Sequence, residues 1–118
     1  MRKFQKVMYM LILLFLPLIP EILAPAGFDW LAVELEHSAI TIREAEELIR
    51  VIELKGVVPF VRLSSNNPEQ VKRVMDAGSH GVIVPMVNSV QDAETAVAAV
   101  KYPPRGKRSF GLARAHGY

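Results

Sequence analysis

Two carboxylates and an imidazole fall within four residues of one another: Glu34, Glu36 and His37, in the stretch "AVELEHSA". They close an apolar lead-in, "GFDWL". An imidazole titrates near neutral pH, which makes His37 the natural general base. A carboxylate such as Glu34 would orient that ring and stabilise its protonated form. Arg62 ends the next apolar run, "VVPFVRL". Its planar fork suits a substrate carboxylate. A base beside a carboxylate clamp is what enolate chemistry on a 2-oxo acid needs. That chemistry also needs an electrophile for the developing enolate oxygen, commonly a divalent metal.

A plainer reading stands beside this one. A Glu-His pair at a strand end also serves helix capping and solvation, and Arg62 also suits an ion pair with one of the helix acids Glu44, Glu46, Glu47 and Glu53. Backbone geometry adds a condition. In an extended strand Glu34 and Glu36 point one way and His37 the other. A Glu34–His37 dyad therefore requires the chain to turn at His37, and Ser38-Ala39 before Thr41 leaves room for that turn.

The elements that must position these residues follow a regular rhythm. "WLAVELE" (30–36), "VVPFVRL" (57–63) and "GVIVPMV" (81–87) read as strands. Thr41 opens a helix, with Glu44 three residues later as a capping box. Ile42, Ala45, Leu48, Ile49 and Ile52 recur at helical spacing, and Gly56 supplies the stop. Asn67 caps the next helix with Pro68 at its first position, and Gly78 ends it. Ser89 caps a third helix carrying Val90, Ala93, Val97 and Val100. Glu44, Glu46, Glu47 and Glu53 read as a solvated helix face with Arg43, Arg50 and Lys55. His80 reads as exposed turn chemistry, and His116 as a tail residue without a visible partner.

Each strand-plus-helix unit is about 25 residues long, and strands apolar on both faces imply a parallel sheet covered by helices. An open doubly wound sheet and a (β/α)8 barrel both fit. In either, chemistry gathers at the C-terminal ends of the strands. Glu34, Glu36, His37, Arg62, Ser64, Ser65, Asn66, Pro85 and Asn88 all fall there.

Composition sets outer limits. The 118 residues suffice for one small domain, half hydrophobic, with a net charge of +2 and no cysteine. Disulfide frameworks and cysteine metal sites are excluded. The segment from Lys101 to Tyr118 carries five basic residues (Lys101, Arg105, Lys107, Arg108 and Arg114) and no acid. Such a tail could meet phosphate or RNA. It has no phosphate-loop motif and little aromatic interleaving, so no nucleic-acid partner is expected. At the other end, Arg2, Lys3 and Lys6 precede the uncharged run "VMYMLILLFLPLIP", and Ala24-Pro25-Ala26 follows. The pattern fits a secretory signal, but the run is short of the roughly 20 apolar residues of a membrane span. The other reading is a strand and helix of the domain itself.

Taken together, "AGFDWLAVELEHSA", "FVRL", "GVIVPMV" and "YPPRGKRSFGLARAHGY" resemble the HpcH/HpaI family of metal-dependent pyruvate aldolases. That family includes 4-hydroxy-2-oxoheptanedioate aldolase and relates to the citrate lyase β and malyl-CoA lyase group. The resemblance runs from Glu21 to Tyr118. It implies a (β/α)8 barrel, usually assembled as a hexamer. It also implies reversible aldol cleavage of a 4-hydroxy-2-oxo acid to pyruvate and an aldehyde, with Mg²⁺, Mn²⁺ or Co²⁺. His37 matches the family's base and Arg62 the arginine that holds the pyruvate carboxylate region. Glu34 matches the carboxylate that orients the base, commonly Asp in the family. Glu36 and Pro85 fall on the rim of the site. The family's metal ligands, a Glu and an Asp, sit on later strands, so no metal ligand is expected in this chain.

The resulting expectation is an apolar N-terminal segment over 1–20 and a partial barrel, about the N-terminal half, over 21–118. Catalysis is expected to be incomplete in this chain alone. The alternative is a non-catalytic half-barrel remnant. The expected location is the cytoplasm, with anchoring or export through residues 1–26 as the alternative.

Overall fold

Four parallel strands, β1 (Tyr9–Ile12), β2 (Trp30–Glu34), β3 (Val58–Arg62) and β4 (Gly81–Ile83), form one sheet in the order β1-β2-β3-β4. The computed structural model describes residues 9–13 and 15–118. Strand order that follows chain order decides between the two architectures. A doubly wound sheet reverses direction at a switch point and buries its first strand inside the sheet, whereas a barrel adds each strand beside the last.

The helices α1 (Leu18–Leu23), α2 (Ile42–Leu54), α3 (Pro68–Asp76) and α4 (Val90–Val100) touch one another in chain order and so make one layer. Their starts are locally encoded. The Thr41 side chain accepts from the Glu44 N–H, and the Glu44 carboxylate accepts from the Thr41 N–H, closing the capping box. Asn67 caps α3 ahead of Pro68, and Ser89 caps α4 by accepting from the Asp92 N–H. Gly56 and Gly78 follow α2 and α3 at φ +79° and +108°, where L side chains are strained.

Alternation along the strands sorts the two sheet faces. Leu31, Val33, Val61 and Leu63 pack with Leu48, Ile49 and Ile52 of α2 and Val71 and Val74 of α3, all fully buried. The other face carries Trp30, Ala32 and Glu34 in register with Val58, Phe60 and Arg62. The Trp30 and Phe60 rings lie 5.1 Å apart there. Gly81 faces the Phe60 ring, which a Cβ would approach to 3.0 Å.

The N-terminal run supplies β1 and α1 within its described part. Ile12 is 2% exposed and joins the core opposite Val33. Pro17 precedes α1 and Pro20 sits in its first turn, where a missing N–H costs no intrahelical bond. Residues 1–8 of the signal-like pattern lie outside the described residues. Among the described residues no helix is long and apolar enough to cross a membrane.

All three strands read from the sequence are shorter in the structure. β2 ends at Glu34 because the chain bends over residues 36–38. β3 occupies 58–62 rather than 57–63. β4 ends at Ile83 rather than Val87: Pro85 has no N–H for a ladder, and Met86 adopts φ +56°.

Candidate active site

Register creates the site. Glu34 and Arg62 are the last residues of neighbouring parallel strands and are paired Cα to Cα, so their side chains leave the same face at the same level. Glu34 is 1% exposed. A buried carboxylate needs partners for its lone pairs, and both oxygens have one. Oε2 meets Arg62 Nη1 at 3.1 Å, and Oε1 accepts from the Glu36 N–H at 2.7 Å.

Glu36 continues the network. Its Oε2 lies 2.7 Å from Arg62 Nη2, and its Oε1 lies 3.5 Å from His37 Nε2. The Arg62 fork is thus held at both terminal nitrogens by two carboxylates. His37 sits at the outer edge of this cluster, its side chain 68% exposed. The bend that brings it there is fixed by Ser38, whose hydroxyl donates to the Glu34 carbonyl and accepts from the Ile40 N–H. Ser and Thr commonly stabilise chain reversals in this way.

The sequence-based pairing of Glu34 with His37 changes accordingly. The turn at His37 occurs, but the carboxylate beside the ring belongs to Glu36. Glu34 lies beneath, spent on Arg62 and on the Glu36 backbone. The plainer reading gave Arg62 one of the acids of α2, the helix before it; its acids are instead the two at the end of β2.

The other rim residues lie at the same end of the sheet. The Ser64 N–H and hydroxyl both reach Gln70 Oε1. Asn66 Nδ2 donates to the Asp92 carbonyl at 2.9 Å, joining the loop after β3 to the start of α4. Asn88 donates its N–H to Asp92 Oδ2. Pro85 lies two residues beyond β4, half-buried. Ser38 and Asn66 position the loops, and neither role has a sequence motif of its own.

Two histidines elsewhere acquire partners that local sequence did not reveal. His80 Nε2 lies 3.0 Å from Glu53 Oε2, and Arg114 reaches the other oxygen of that carboxylate. Burial pushes the Glu53 carboxyl up, but hydrogen bonds from His80 and Arg114 outweigh it and hold it below the usual range. His116 Nε2 lies 2.5 Å from the Tyr102 hydroxyl. On α2, Arg50 pairs with Glu46 and Glu47, as the solvated-face reading has it.

Among the described residues no group of three or more His, Asp or Glu side chains is placed to hold a metal ion. The rim carboxylates are instead engaged by Arg62. The residues present therefore do not by themselves fit a divalent metal.

Comparison with known proteins gives the chain relatives. The family model described as HpcH/HpaI aldolase/citrate lyase matches residues 7–115. The chain is 46% identical over 90 residues to a 2-dehydro-3,6-dideoxy-6-sulfogluconate aldolase of Pseudomonas putida, covering 76% of this chain and 35% of that protein. It is 40% identical over 95 residues to a 4-hydroxy-2-oxo-heptane-1,7-dioate aldolase of Salmonella dublin, covering 80% and 36%. A crystal structure of an HpcH/HpaI aldolase from Desulfitobacterium hafniense superposes with a TM-score of 0.83 at 38% identity, covering 90% of this chain and 41% of that one. The chain thus spans little more than a third of the length of these curated relatives. Its α/β fold is part of a (β/α)8 barrel.

Proposed function

The chain belongs to the HpcH/HpaI aldolase/citrate lyase family, and from that premise we propose that its strand-end cluster is the proton-transfer and carboxylate-binding part of a pyruvate aldolase. The reaction is reversible cleavage of a 4-hydroxy-2-oxo acid to pyruvate and an aldehyde. The observation that carries this reading is the Arg62 fork, held by Glu34 and Glu36 beside an exposed His37.

Each residue has a part. A guanidinium has five N–H donors. One donor of Nη1 is engaged by Glu34, and Glu36 Oε2 lies against Nη2 as an ion pair without a hydrogen bond, so donors remain for the carboxylate of a 2-oxo acid. Arg62 is about one-third exposed, enough to be reached from solvent. His37 takes the proton from the substrate's 4-hydroxyl as the C3–C4 bond breaks, and the bonding electrons pass to the pyruvate enolate. The protonated His37 then returns its proton to C3 of the enolate, giving pyruvate and restoring the neutral ring. Glu36 faces the imidazole and stabilises its protonated form, while Glu34 fixes Arg62 from below. A divalent metal, which family resemblance implies, would supply charge stabilisation for the enolate oxygen. Among the described residues no ligand set for it is present.

The test is an aldol-cleavage assay with a 4-hydroxy-2-oxo acid and added Mn²⁺ or Mg²⁺, read as pyruvate released. The 118-residue chain alone is expected to bind pyruvate without turning substrate over. Metal-dependent turnover by this chain would show that its own residues suffice. Failure to bind pyruvate would favour a second reading, a non-catalytic barrel segment in which the Arg62 cluster is purely structural.

A further inference from the structure

The basic stretch after α4 takes no part in the strand-end cluster, yet it is firmly built onto the helix layer. The Lys107 N–H donates to the Ala98 carbonyl at 2.7 Å, and the Arg108 N–H donates to the Lys101 carbonyl at 3.1 Å. These bonds satisfy carbonyls of the last turn of α4 and its end, which lack intrahelical donors. Gly106 permits the close approach. A Cβ there would lie 2.1 Å from the Lys101 carbonyl oxygen and 2.6 Å from that of Ala98.

Between this loop, α3 and α4 lies a cavity of about 330 Å³. Lys72 and Thr95 line it from the helices, and Lys107, Arg108 and Ser109 from the loop. Arg108 is its fixed member, with a side chain 6% exposed. Nη2 pairs with Asp76 at 2.9 Å, and the guanidinium lies 4.6 Å from the Tyr102 ring centroid. Its Nε is buried and has no acceptor among the described residues. A buried donor without a partner is costly and calls for an explanation. Glu69 is the acid in the cavity lining, and it is already engaged by Lys72 at 2.9 Å and Arg73 at 3.0 Å. Ala98 and Ala99 add a small apolar wall.

We propose that this cavity binds a small oxyanion, a phosphate or carboxylate group on a compact molecule, through Lys72, Lys107 and Arg108. An arginine fork already ordered by Asp76 and Tyr102 binds such a group with little further loss of freedom. The hydroxyls of Thr95 and Ser109 add neutral donors. The site shares no residue with the Glu34–Arg62 cluster, so it stands or falls independently of the aldolase reading.

The experiment is an amide NMR titration of the intact chain with inorganic phosphate and, separately, with succinate, at ionic strength held constant with sodium chloride. Saturable shifts at Thr95, Ala98 and Ser109 are expected with at least one anion; which one distinguishes a phosphate from a carboxylate site. Lys107→Ala, at an exposed position, and Lys72→Ala, at a half-buried one, should each weaken binding about fivefold or more, as loss of one charged contact implies. Arg108→Lys should do the same, but the two lysine variants carry the test if that change disturbs the fold. Shifts that do not saturate, that chloride alone reproduces, or that survive both lysine substitutions at unchanged affinity would overturn the proposal.

Discussion

Glu34 and Arg62 stand opposite each other at the ends of β2 and β3, 28 residues apart in sequence, and their side chains meet at 3.1 Å with the carboxylate almost wholly buried. Breaking such a pair from one side strands a charge. Arg62→Met should cost about 2–3 kcal/mol, less than the ~3–5 of a fully buried pair because Arg62 is partly exposed. The double variant Glu34→Leu/Arg62→Met removes both charges and should be less destabilised than Arg62→Met alone. Urea unfolding of the two single variants and the double variant measures this. Additive losses would mean that the pair is not coupled.

His37 lies at the exposed edge of the same cluster and supports no packing. His37→Ala should change stability by no more than about 0.5 kcal/mol, the usual range for exposed positions. Thermal or urea unfolding checks it. A larger loss would assign the ring a structural role that its exposure does not suggest.

The start of α2 rests on the reciprocal Thr41–Glu44 bonds. Thr41→Ala should cost about 1 kcal/mol. Hydrogen exchange should localise the loss to the first turn, with the Glu44 amide losing protection first.

Glu53 joins α2 to His80 and Arg114. Its carboxyl is held below the usual range: burial acts upward, and the hydrogen bonds from His80 and Arg114 overcome it. A depressed carboxyl contributes stability above its unfolded pKa of about 4.3 and loses it as pH falls through the folded value. The stability difference between the native chain and Glu53→Gln should therefore be full at neutral pH and shrink in the acid range. Unfolding curves at stepped pH test this. A difference that grows on acidification would reverse the sign of the effect.

What the sequence made legible was mostly local. Thr41 with Glu44, Asn67 with Pro68, and Ser89 mark helix starts because a cap and its amide lie within three residues of each other. Gly56 and Gly78 mark stops because a positive φ is written into the residue type. The gathering of polar groups at one end followed from the strand–helix alternation. Partner choice was not legible. Glu34 and Arg62 lie far apart along the chain, and only strand register sets them at one level. Alternation did warn that Glu34 and His37 leave opposite faces of an extended strand. The bend over residues 36–38 overcomes that for Glu36 but leaves Glu34 with Arg62. His80 and His116 likewise found partners, Glu53 and Tyr102, supplied by tertiary packing. β4 was read four residues too long because apolar content alone does not reveal that Met86 takes a positive φ.

The proposed role of Arg62, held by two carboxylates beside His37, is to receive the carboxylate of a 2-oxo acid. The most direct measurement is an amide NMR titration of the chain with pyruvate, compared between the native protein and Arg62→Lys. The variant keeps the charge and loses the fork. Saturable shifts confined to residues 34–38 and 62–64 are expected, with affinity falling about tenfold in the variant, as loss of bidentate geometry implies. Pyruvate that leaves those signals in place, or binds Arg62→Lys as tightly as the native chain, would contradict it.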